Sequence, residues 1–196
     1  MGDKFNFSLF KHTQDYLLAS ARQSIETAVC NNTTMAEKKP QESVLNQPYG
    51  NFVTITIAGS LRGCIGCIVP VHALYLSIID NAKKAALHDP RFAPLSVDEL
   101  KEIQIEISIL STPEELLYDT PEDLLQLLNS ETDGVILKKD GREATFLPQV
   151  WKQLPDKEMF LKKLSLKGNM GPNGWKSAQV FKYKVLHFSE KKGIES

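Results

Sequence analysis

The stretch that decides the fold runs from Phe52 to Cys67 and reads FVTITIAGSLRGCIGC. Its first six residues, Phe52–Ile57, are rich in β-branched side chains, which is typical of a strand. Ala58-Gly59-Ser60 then supplies a tight connection, and a second extended segment follows in Leu61–Cys67. The stretch therefore predicts a β-hairpin.

The second strand of this hairpin also holds the most concentrated chemistry of the chain. Arg62 and Cys64 are two positions apart, so a strand places both side chains on one face. Gly63 and Gly66 are small enough to let a ligand or another strand approach the backbone. We therefore expect the functional site at this strand and expect the rest of the chain to support it.

Two apolar stripes with helical spacing flank the hairpin in the sequence. The first predicts an amphipathic helix within Ser8–Val29, which would cover a sheet. The second begins at Tyr75 and ends near His88, because the following Asp89-Pro90 disfavours helical geometry. Residues 31–48 are polar and unpatterned, so we expect a mobile surface loop there.

The remaining chain predicts shorter elements. Ser96–Glu99 has the form of a capping box that begins a short helix, and Ile103–Ile109 alternates apolar and polar residues as a half-buried strand does. Further along we expect a helix from Thr120 to about Leu128, a hairpin of Val135–Lys138 and Ala144–Leu147, a helix closed by Lys167 and Gly168, and one strand from Val180 to Phe188. This mixture predicts an α+β fold with a mainly antiparallel sheet flanked by helices.

Composition excludes several classes of protein. The chain has 196 residues and a net charge of −1, with no clustered cationic excess, so we expect neither a nucleic-acid nor a membrane partner. No apolar run approaches the roughly 20 residues that span a bilayer, and the N-terminus lacks a signal-peptide pattern. Three cysteines fit a reducing compartment better than a disulfide framework. We therefore expect a cytoplasmic protein.

Leu61-Arg62-Gly63-Cys64-Ile65-Gly66 resembles the hallmark motif of the AMMECR family. Four further blocks match that family in the same order: Asp89–Phe92 with Pro94-Leu95, Ile105–Leu110, Asp133–Leu137 and Phe146–Val150. The resemblance covers about residues 10–188. It implies a single AMMECR-like domain over residues 1–196, with a larger and a smaller lobe in contact. The sequence does not place the boundary between the lobes.

The family resembled has no settled reaction, and its cofactor is unknown. Its members are often encoded beside Memo-like and radical-SAM proteins, so the resemblance implies that such a protein could be a partner in a cytoplasmic pathway. One departure stands out. Where the family usually has cysteine followed by lysine–alanine–glycine, this chain has Ser165-Leu166-Lys167-Gly168, which argues against a mechanism that needs a second thiol.

Cys64 is the candidate catalytic residue. Positive charge from Arg62 would favour its thiolate and allow it to act as a nucleophile, whereas the alternative is a small thiol that simply packs. Cys64 and Cys67 form a Cys-x-x-Cys pair, but Pro70 precedes the next helix, which does not fit a thioredoxin-like motif. Cys30 and the four histidines offer no second pair at ligand spacing, so we expect no metal.

The candidate ligand-binding residues are Arg62, Gly63, Gly66, Asp89, Arg91 and Glu106. If Arg62 and Arg91 converge near the glycine-rich backbone, they would suit a carboxylate or phosphate. The structural alternative pairs Arg91 with Asp89 and Arg62 with Glu106 across strands. We expect a small anionic ligand or substrate in a cleft around Leu61–Cys67. The alternative function is a non-catalytic interaction module that uses the glycine-rich turn as a docking surface.

Overall fold

The computed structural model describes residues 9–31 and 40–190 of the chain. The described part divides into two compact units, each with a four-stranded sheet and its own apolar core. The larger unit comprises the described residues up to Leu110 together with those from Leu186 onward, and the smaller unit comprises Ser111–Val185. The α+β architecture with antiparallel sheets that the sequence predicts is confirmed.

In chain order, the helices and strands are α1 (Lys11–Asn31), β1 (Asn51–Ile57), β2 (Ser60–Cys67), α2 (Leu74–Leu87), β3 (Ile103–Leu110), β4 (Glu114–Leu116), α3 (Pro121–Leu127), β5 (Gly134–Lys139), β6 (Arg142–Phe146), α4 (Lys157–Lys167), β7 (Gln179–Tyr183) and β8 (Val185–Ser189). The strands of the larger unit are ordered β2-β1-β3-β8, and those of the smaller unit β4-β7-β5-β6. β2, which carries the motif, is therefore an edge strand.

The sheet of the larger unit has two different faces. The inner face carries Val53 and Ile55 of β1, which are fully buried against residues of α1 and α2. The outer face carries the alternate residues of β1, among them Thr54, which is only partly buried. α2 lies very close to β2, because an ideal Cβ on Gly63 would be 2.2 Å from the carbonyl oxygen of Ala85.

A β-bulge interrupts the pairing of β1 with β2. Ile55 pairs with Gly63 and Thr56 pairs with Leu61, so Arg62 is the extra residue that has no partner in β1. A bulge bends its strand and re-aims the side chain of the unpaired residue. The side chain of Arg62 therefore does not follow the alternation between the two faces that the other residues of β2 follow.

Arg22 of α1 ties several parts of the larger unit together. Its Nε and Nη2 donate to both carboxylate oxygens of Glu190, at 2.7 and 2.6 Å. Its guanidinium also donates to the carbonyls of Leu100 and Ile103, and Glu190 accepts from the amide of Ile105. The helix, the start of β3 and the segment after β8 are thus joined by charge-assisted hydrogen bonds.

The core of the smaller unit centres on two stacked rings. The rings of Trp151 and Phe160 are nearly parallel with centroids 3.5 Å apart, and the indole N–H of Trp151 donates to the carbonyl of Asp133 at 2.7 Å. The buried carboxylate of Asp133 accepts from the amide of Asn129 and from Lys184 Nζ. The polar groups of this core are therefore paired, as burial requires.

The two ends of the smaller unit are bonded to each other. The amide of Ser111 donates to the carbonyl of Lys184, and the amide of Lys184 donates to the hydroxyl of Ser111, both at 2.9 Å. The chain therefore enters and leaves this unit at one place.

The structure differs from the sequence-based predictions in several elements. The single strand predicted from Val180 to Phe188 is wrong, because the chain changes sheets at Lys184 and forms β7 and β8. β4 was not predicted. The short helix predicted to begin at Ser96–Glu99 is a single 3-10 turn, Asp98–Lys101.

The predicted mobile loop over residues 31–48 is wrong in part. Residue 31 ends α1, and Ser43–Asn46 forms a 3-10 turn in which Leu45 is 1% exposed and joins the core. Residues 32–39 of that loop, like the predicted helix start at Ser8, lie outside the described residues. In the described segments, no helix has the length and apolar character needed to cross a membrane.

Candidate functional site

Three polar side chains form a row across the outer face of the larger unit's sheet. Cys64 of β2 pairs with Thr54 of β1, and Thr54 pairs in turn with Glu106 of β3. Each of the three is partly buried. The hydroxyl of Thr54 donates to Cys64 Sγ at 3.1 Å. A thiol, a hydroxyl and a carboxylate therefore share one side of the sheet.

The backbone of Cys64 is held by two side chains from the segment after α2. Its amide donates to Asp89 Oδ2 at 2.8 Å, and its carbonyl accepts from Arg91 Nη2 at 3.2 Å. Both groups of Cys64 therefore point away from β1, toward the open side of the edge strand. Asp89 and Arg91 take the place that a neighbouring strand would have at this residue.

Asp89 is a buried carboxylate, with its side chain 2% exposed. It accepts from Arg91 Nε at 2.9 Å, from Arg91 Nη2 at 2.7 Å and from the amide of Arg91 at 3.0 Å. The hydrogen bonds from the Arg91 side chain hold the pKa of Asp89 well below its usual range, and the backbone amides of Cys64 and Arg91 lower it further against the opposing effect of burial. Asp89 is therefore charged at neutral pH.

Arg91 presents the other end of this ion pair to solvent. Its side chain is 53% exposed, and its guanidinium carbon lies 5.5 Å from the centre of the Phe92 ring. Its Nε and Nη2 make the hydrogen bonds to Asp89 and to the carbonyl of Cys64. The hydrogen bond to Asp89 raises the pKa of Arg91. The pair thus buries its negative end and exposes its positive end.

Arg62 is held by a different carboxylate. Its Nε and Nη2 donate to the two oxygens of Glu99 at 2.6 and 3.0 Å, and its Nη1 and Nη2 donate to the carbonyls of Ala93 and Pro94. The predicted alternative pairing of Arg62 with Glu106 is wrong. The physical reason is the bulge, which aims Arg62 at the segment after α2.

Only the glutamate half of the predicted capping box forms, because the Ser96 hydroxyl caps no amide of the 3-10 turn that follows Val97. The Glu99 carboxylate accepts from the amide and the hydroxyl of Ser96, at 2.8 and 3.0 Å. The hydrogen bond from Arg62 and these contacts lower the pKa of Glu99 to about 2. The guanidinium of Arg62 is therefore fully engaged in holding this segment against β2.

The two arginines lie near one aromatic ring. The guanidinium carbon of Arg62 is 6.0 Å from the centre of the Phe92 ring, and that of Arg91 is 5.5 Å from it. Both distances are within the range of cation–π attraction. The structure thus brings the two side chains to the same region, but the Arg91 side chain is much the more exposed of the two, at 53% against 17%.

The two glycines of the motif are explained by close packing. Gly63 lies on the inner face against Ala85, where a Cβ would collide with the helix backbone. An ideal Cβ on Gly66 would be 2.2 Å from the carbonyl oxygen of Asn51 and 2.4 Å from a ring atom of Phe52. Phe52 therefore covers Gly66 on the outer face. Direct ligand binding by either glycine stays a prediction.

Cys64 and Cys67 lie on opposite faces of β2. Cys67 Sγ is 3.9 Å from the hydroxyl of Ser77 in α2, on the inner side of the sheet. Three residues along a strand separate the Cα atoms by about 10 Å, which exceeds the reach of a disulfide. The two thiols cannot act as an intramolecular redox pair in this conformation. No group of three or more His, Cys, Asp or Glu residues among residues 9–31 and 40–190 is arranged to hold a metal ion.

Ser165, at the position where the family resembled usually has cysteine, is fully buried in the smaller unit. Its hydroxyl donates to the carbonyl of Gly171 at 2.5 Å. Gly174 is closely packed against it, because an ideal Cβ there would be 2.7 Å from Ser165 Oγ. Ser165 thus joins the end of α4 to the following turn.

Neither the contact of Thr54 with Cys64 nor the pairing of Glu99 with Arg62 is predicted from the sequence, which indicates only a capping role for Glu99. The alternation of Phe52–Ile57 places Thr54 on the polar face of its strand, but its pairing with Cys64 depends on the register, which the bulge shifts by one residue. Glu99 binds Arg62 across 37 residues of chain. Neither contact leaves a periodic signal in the sequence.

Comparison with known proteins gives consistent results. The model of the AMMECR1 family matches residues 18–188. A protein of Methanothermobacter thermautotrophicus is 33% identical over 177 residues, covering 89% of this chain and 92% of its own length. A protein of Thermococcus onnurineus is 34% identical over 188 residues, covering 90% and 89% of the two chains.

A solved structure also matches along nearly the whole length. The crystal structure of an uncharacterised protein from Pyrococcus horikoshii has a TM-score of 0.83 and 28% sequence identity, and the match covers 94% of this chain and 95% of that one. The names of these relatives state no activity. On the family model and the archaeal relatives together, this chain belongs to the AMMECR1 family.

Proposed function

We propose that the surface around Cys64 binds a small anionic ligand or substrate through a carboxylate or phosphate group and places it beside the thiol of Cys64. One observation carries this proposal. A half-exposed guanidinium, that of Arg91, is fixed beside the thiol residue by a buried carboxylate and by the carbonyl of Cys64 itself. A cation held in place in this way attracts anions without first having to be ordered.

The other groups of the row support a reactive rather than a packed thiol. The Thr54 hydroxyl donates to Cys64 Sγ, a hydrogen bond that is stronger when the sulfur carries negative charge. Glu106 lies beyond Thr54 on the same face, and its carboxylate has no hydrogen bond to any described residue. It is the group that we assign to proton transfer with a bound substrate.

The proposal predicts that Cys64 prefers an anionic reagent. The quantity to compare is the ratio of the rate with iodoacetate, which is anionic, to the rate with iodoacetamide, which is neutral. We expect this ratio to be several-fold higher for Cys64 than for Cys30, since Coulomb attraction at a partly exposed site is worth on the order of 1 kcal/mol. Cys30 is an exposed thiol in the same chain and serves as the internal reference. The rates are measured for each cysteine by mass spectrometry of the native protein.

Two variants make the experiment specific. Arg91→Gln should reduce the preference of Cys64 to that of Cys30. Lys84→Gln should leave it unchanged, because Lys84 is an exposed cation on α2 that pairs with Asp80. If Cys64 shows no preference in the native protein, or reacts only after unfolding, the proposed anion site is wrong.

A docking module is the second candidate function, and one observation favours it. Val69 and Val71, just after β2, are 65% and 82% exposed, and Leu61 at the other end of the strand is 44% exposed. Exposed aliphatic side chains on both sides of the motif suit contact with a protein. A Memo-like or radical-SAM protein is the partner that we propose for this case, and a cytoplasmic location fits both functions. If Cys64 does not react with either alkylating reagent in the native protein, this second candidate function is favoured.

A further inference from the structure

The outer edge of β2 has hydrogen-bond partners for its backbone at Cys64 but not at Gly66, two residues further along. We call the first part closed and the second part open. The amide of Cys64 points away from β1, since it donates to Asp89. Backbone direction alternates along a strand, so the amide and carbonyl of Gly66 point to the same open side. Among the described residues, no side chain and no loop backbone is hydrogen-bonded to them.

The closed part of the edge has a definite end. Asp89 and Arg91 occupy it at Cys64, and the carbonyls of Ala93 and Pro94 follow at Arg62. The segment after α2 thus runs along β2 away from Gly66. A chain that paired with the open edge would meet the guanidinium of Arg91 where the closed part begins.

We propose that this open edge binds the C-terminal end of an extended polypeptide, whose main chain pairs with Gly66 and whose terminal carboxylate contacts Arg91. This inference rests on the anion site proposed above and names the class of its ligand. An unpaired strand edge is a template for another extended chain, and strand addition with capture of a terminal carboxylate is a known mode of peptide recognition.

Charge determines the direction of the bound segment. A segment antiparallel to β2 starts near Cys67 and ends at Cys64, so its C-terminus arrives at Arg91. A parallel segment would instead bring its positively charged amino end to the same guanidinium, which is repulsive. The residues before the C-terminus would lie toward the exposed Val69 and Val71, which favours apolar side chains there.

The backbone favours a peptide over a free small anion as the natural ligand. A free carboxylate would use Arg91 alone and leave the amide and carbonyl of Gly66 unpaired. A peptide satisfies all of these groups together, and each hydrogen bond that it makes adds to the binding. Gly66 carries no side chain and Phe52 covers it from the outer face, so pairing at this residue requires no side chain to move.

The test is protection of Cys64 by short peptides. The probes are acetylated tetrapeptides in which each position is in turn apolar, acidic, basic or neutral polar, every one made both as the free acid and as the C-terminal amide. The readout is the rate of Cys64 labelling by iodoacetamide in the native wild-type protein, with Cys30 as the internal reference. We expect at least one free acid to slow Cys64 labelling by about three-fold or more, with its amide clearly weaker.

Two further arms test the backbone and the charge separately. In the first arm, the peptide nitrogens are methylated one at a time. Methylation should abolish protection of Cys64 at only one of these positions, because only one amide of the peptide donates to the carbonyl of Gly66. In Arg91→Gln, acid and amide should protect equally, provided that its melting curve shows a folded protein. The wild-type arms stand even if this variant is unfolded.

Two results would overturn the inference. One is a panel in which no free acid protects better than its amide. The other is an acetylated single amino acid that protects as well as any tetrapeptide. In the second case the preference of Cys64 for iodoacetate would still hold, so the anion site would stand and only the peptide would be rejected.

Discussion

Asp89 is the residue on which the geometry of the motif depends. Four N–H groups donate to its two oxygens, from the amides of Cys64 and Arg91 and from Nε and Nη2 of Arg91. The carboxylate therefore fixes both the backbone of the thiol residue and the orientation of the exposed guanidinium. Removing its charge affects both at once.

We predict that Asp89→Asn destabilises the larger unit by about 2–4 kcal/mol, since an amide cannot accept from all four donors and leaves a guanidinium poorly paired. Urea denaturation at neutral pH measures the change. The control is Asp80→Asn, which removes an exposed pair with Lys84 and should cost less than about 0.5 kcal/mol. Equal effects of the two substitutions would contradict the role given to Asp89.

The same variant makes a prediction about pH. The pKa of Asp89 is lowered in the folded state, so its contribution to stability is present above the unfolded pKa of about 4 and is lost as the pH falls through the folded pKa. We expect the difference in unfolding free energy between wild type and Asp89→Asn to be constant from pH 7 to about 5 and to shrink below about 4. A difference that grows toward acid would reverse the sign and refute the assignment.

At this scale the sequence indicates which residues matter but not what they do. The motif and the Asp89–Phe92 block are both visible in the sequence, yet Asp89 reaches Cys64 across 25 residues through a backbone amide. A contact between a side chain and a distant backbone has no residue-type signature. Arg62 and Arg91 were expected to act alike, and only the bulge and the position of Glu99 distinguish them.

At the scale of elements, the spacing of apolar residues predicts that a helix or strand has a buried face, but it does not predict against which sheet or core that face packs. The spacing of apolar residues finds α2 and the first hairpin, because each has one buried face. The alternation of Phe181, Tyr183 and Val185 continues through Lys184 without interruption, although the chain changes sheets there. β4 has three residues, too few to show any period.

The approach of α2 to β2 leads to a prediction about Gly63. In Gly63→Ala, the new Cβ would lie 2.2 Å from the carbonyl oxygen of Ala85, so the helix has to move, and we expect a loss of about 2–4 kcal/mol. Gly59→Ala is the control. Gly59 has a φ of +80° and nothing within 4 Å of an added Cβ, so only backbone strain of about 1 kcal/mol applies. Urea denaturation compares them, and equal losses would mean that the helix yields without cost.

At the scale of the whole molecule, the chain contains one unit inserted within another. The smaller unit is a single continuous stretch, Ser111–Val185, with its own apolar core and with its ends bonded to each other. The larger unit takes β8 from beyond that stretch. A continuous unit whose two ends are hydrogen-bonded to each other and that has its own apolar core has what independent folding requires.

We therefore predict that a fragment of residues 111–185 folds alone and unfolds cooperatively. Both tryptophans of the chain, Trp151 and Trp175, are in this unit and are buried, so their fluorescence on heating reports its unfolding. A shorter fragment of residues 118–183 lacks β4 and the Ser111–Lys184 hydrogen bonds, and we expect it to melt at a lower temperature. A gradual change without a transition in the longer fragment would show that the unit depends on the rest of the chain.

The insertion also sets an order of events during translation. The smaller unit is complete in the nascent chain as soon as Val185 has left the ribosome. β3 is synthesised earlier, but it cannot pair with β8 until β8 has also emerged. Until then Ile103–Leu110 offers an unpaired edge, the kind of surface that chaperones protect. Arg22 is synthesised before the inserted unit and Glu190 after it. Their ion pair can therefore form only after the smaller unit has been made, and it completes the larger unit.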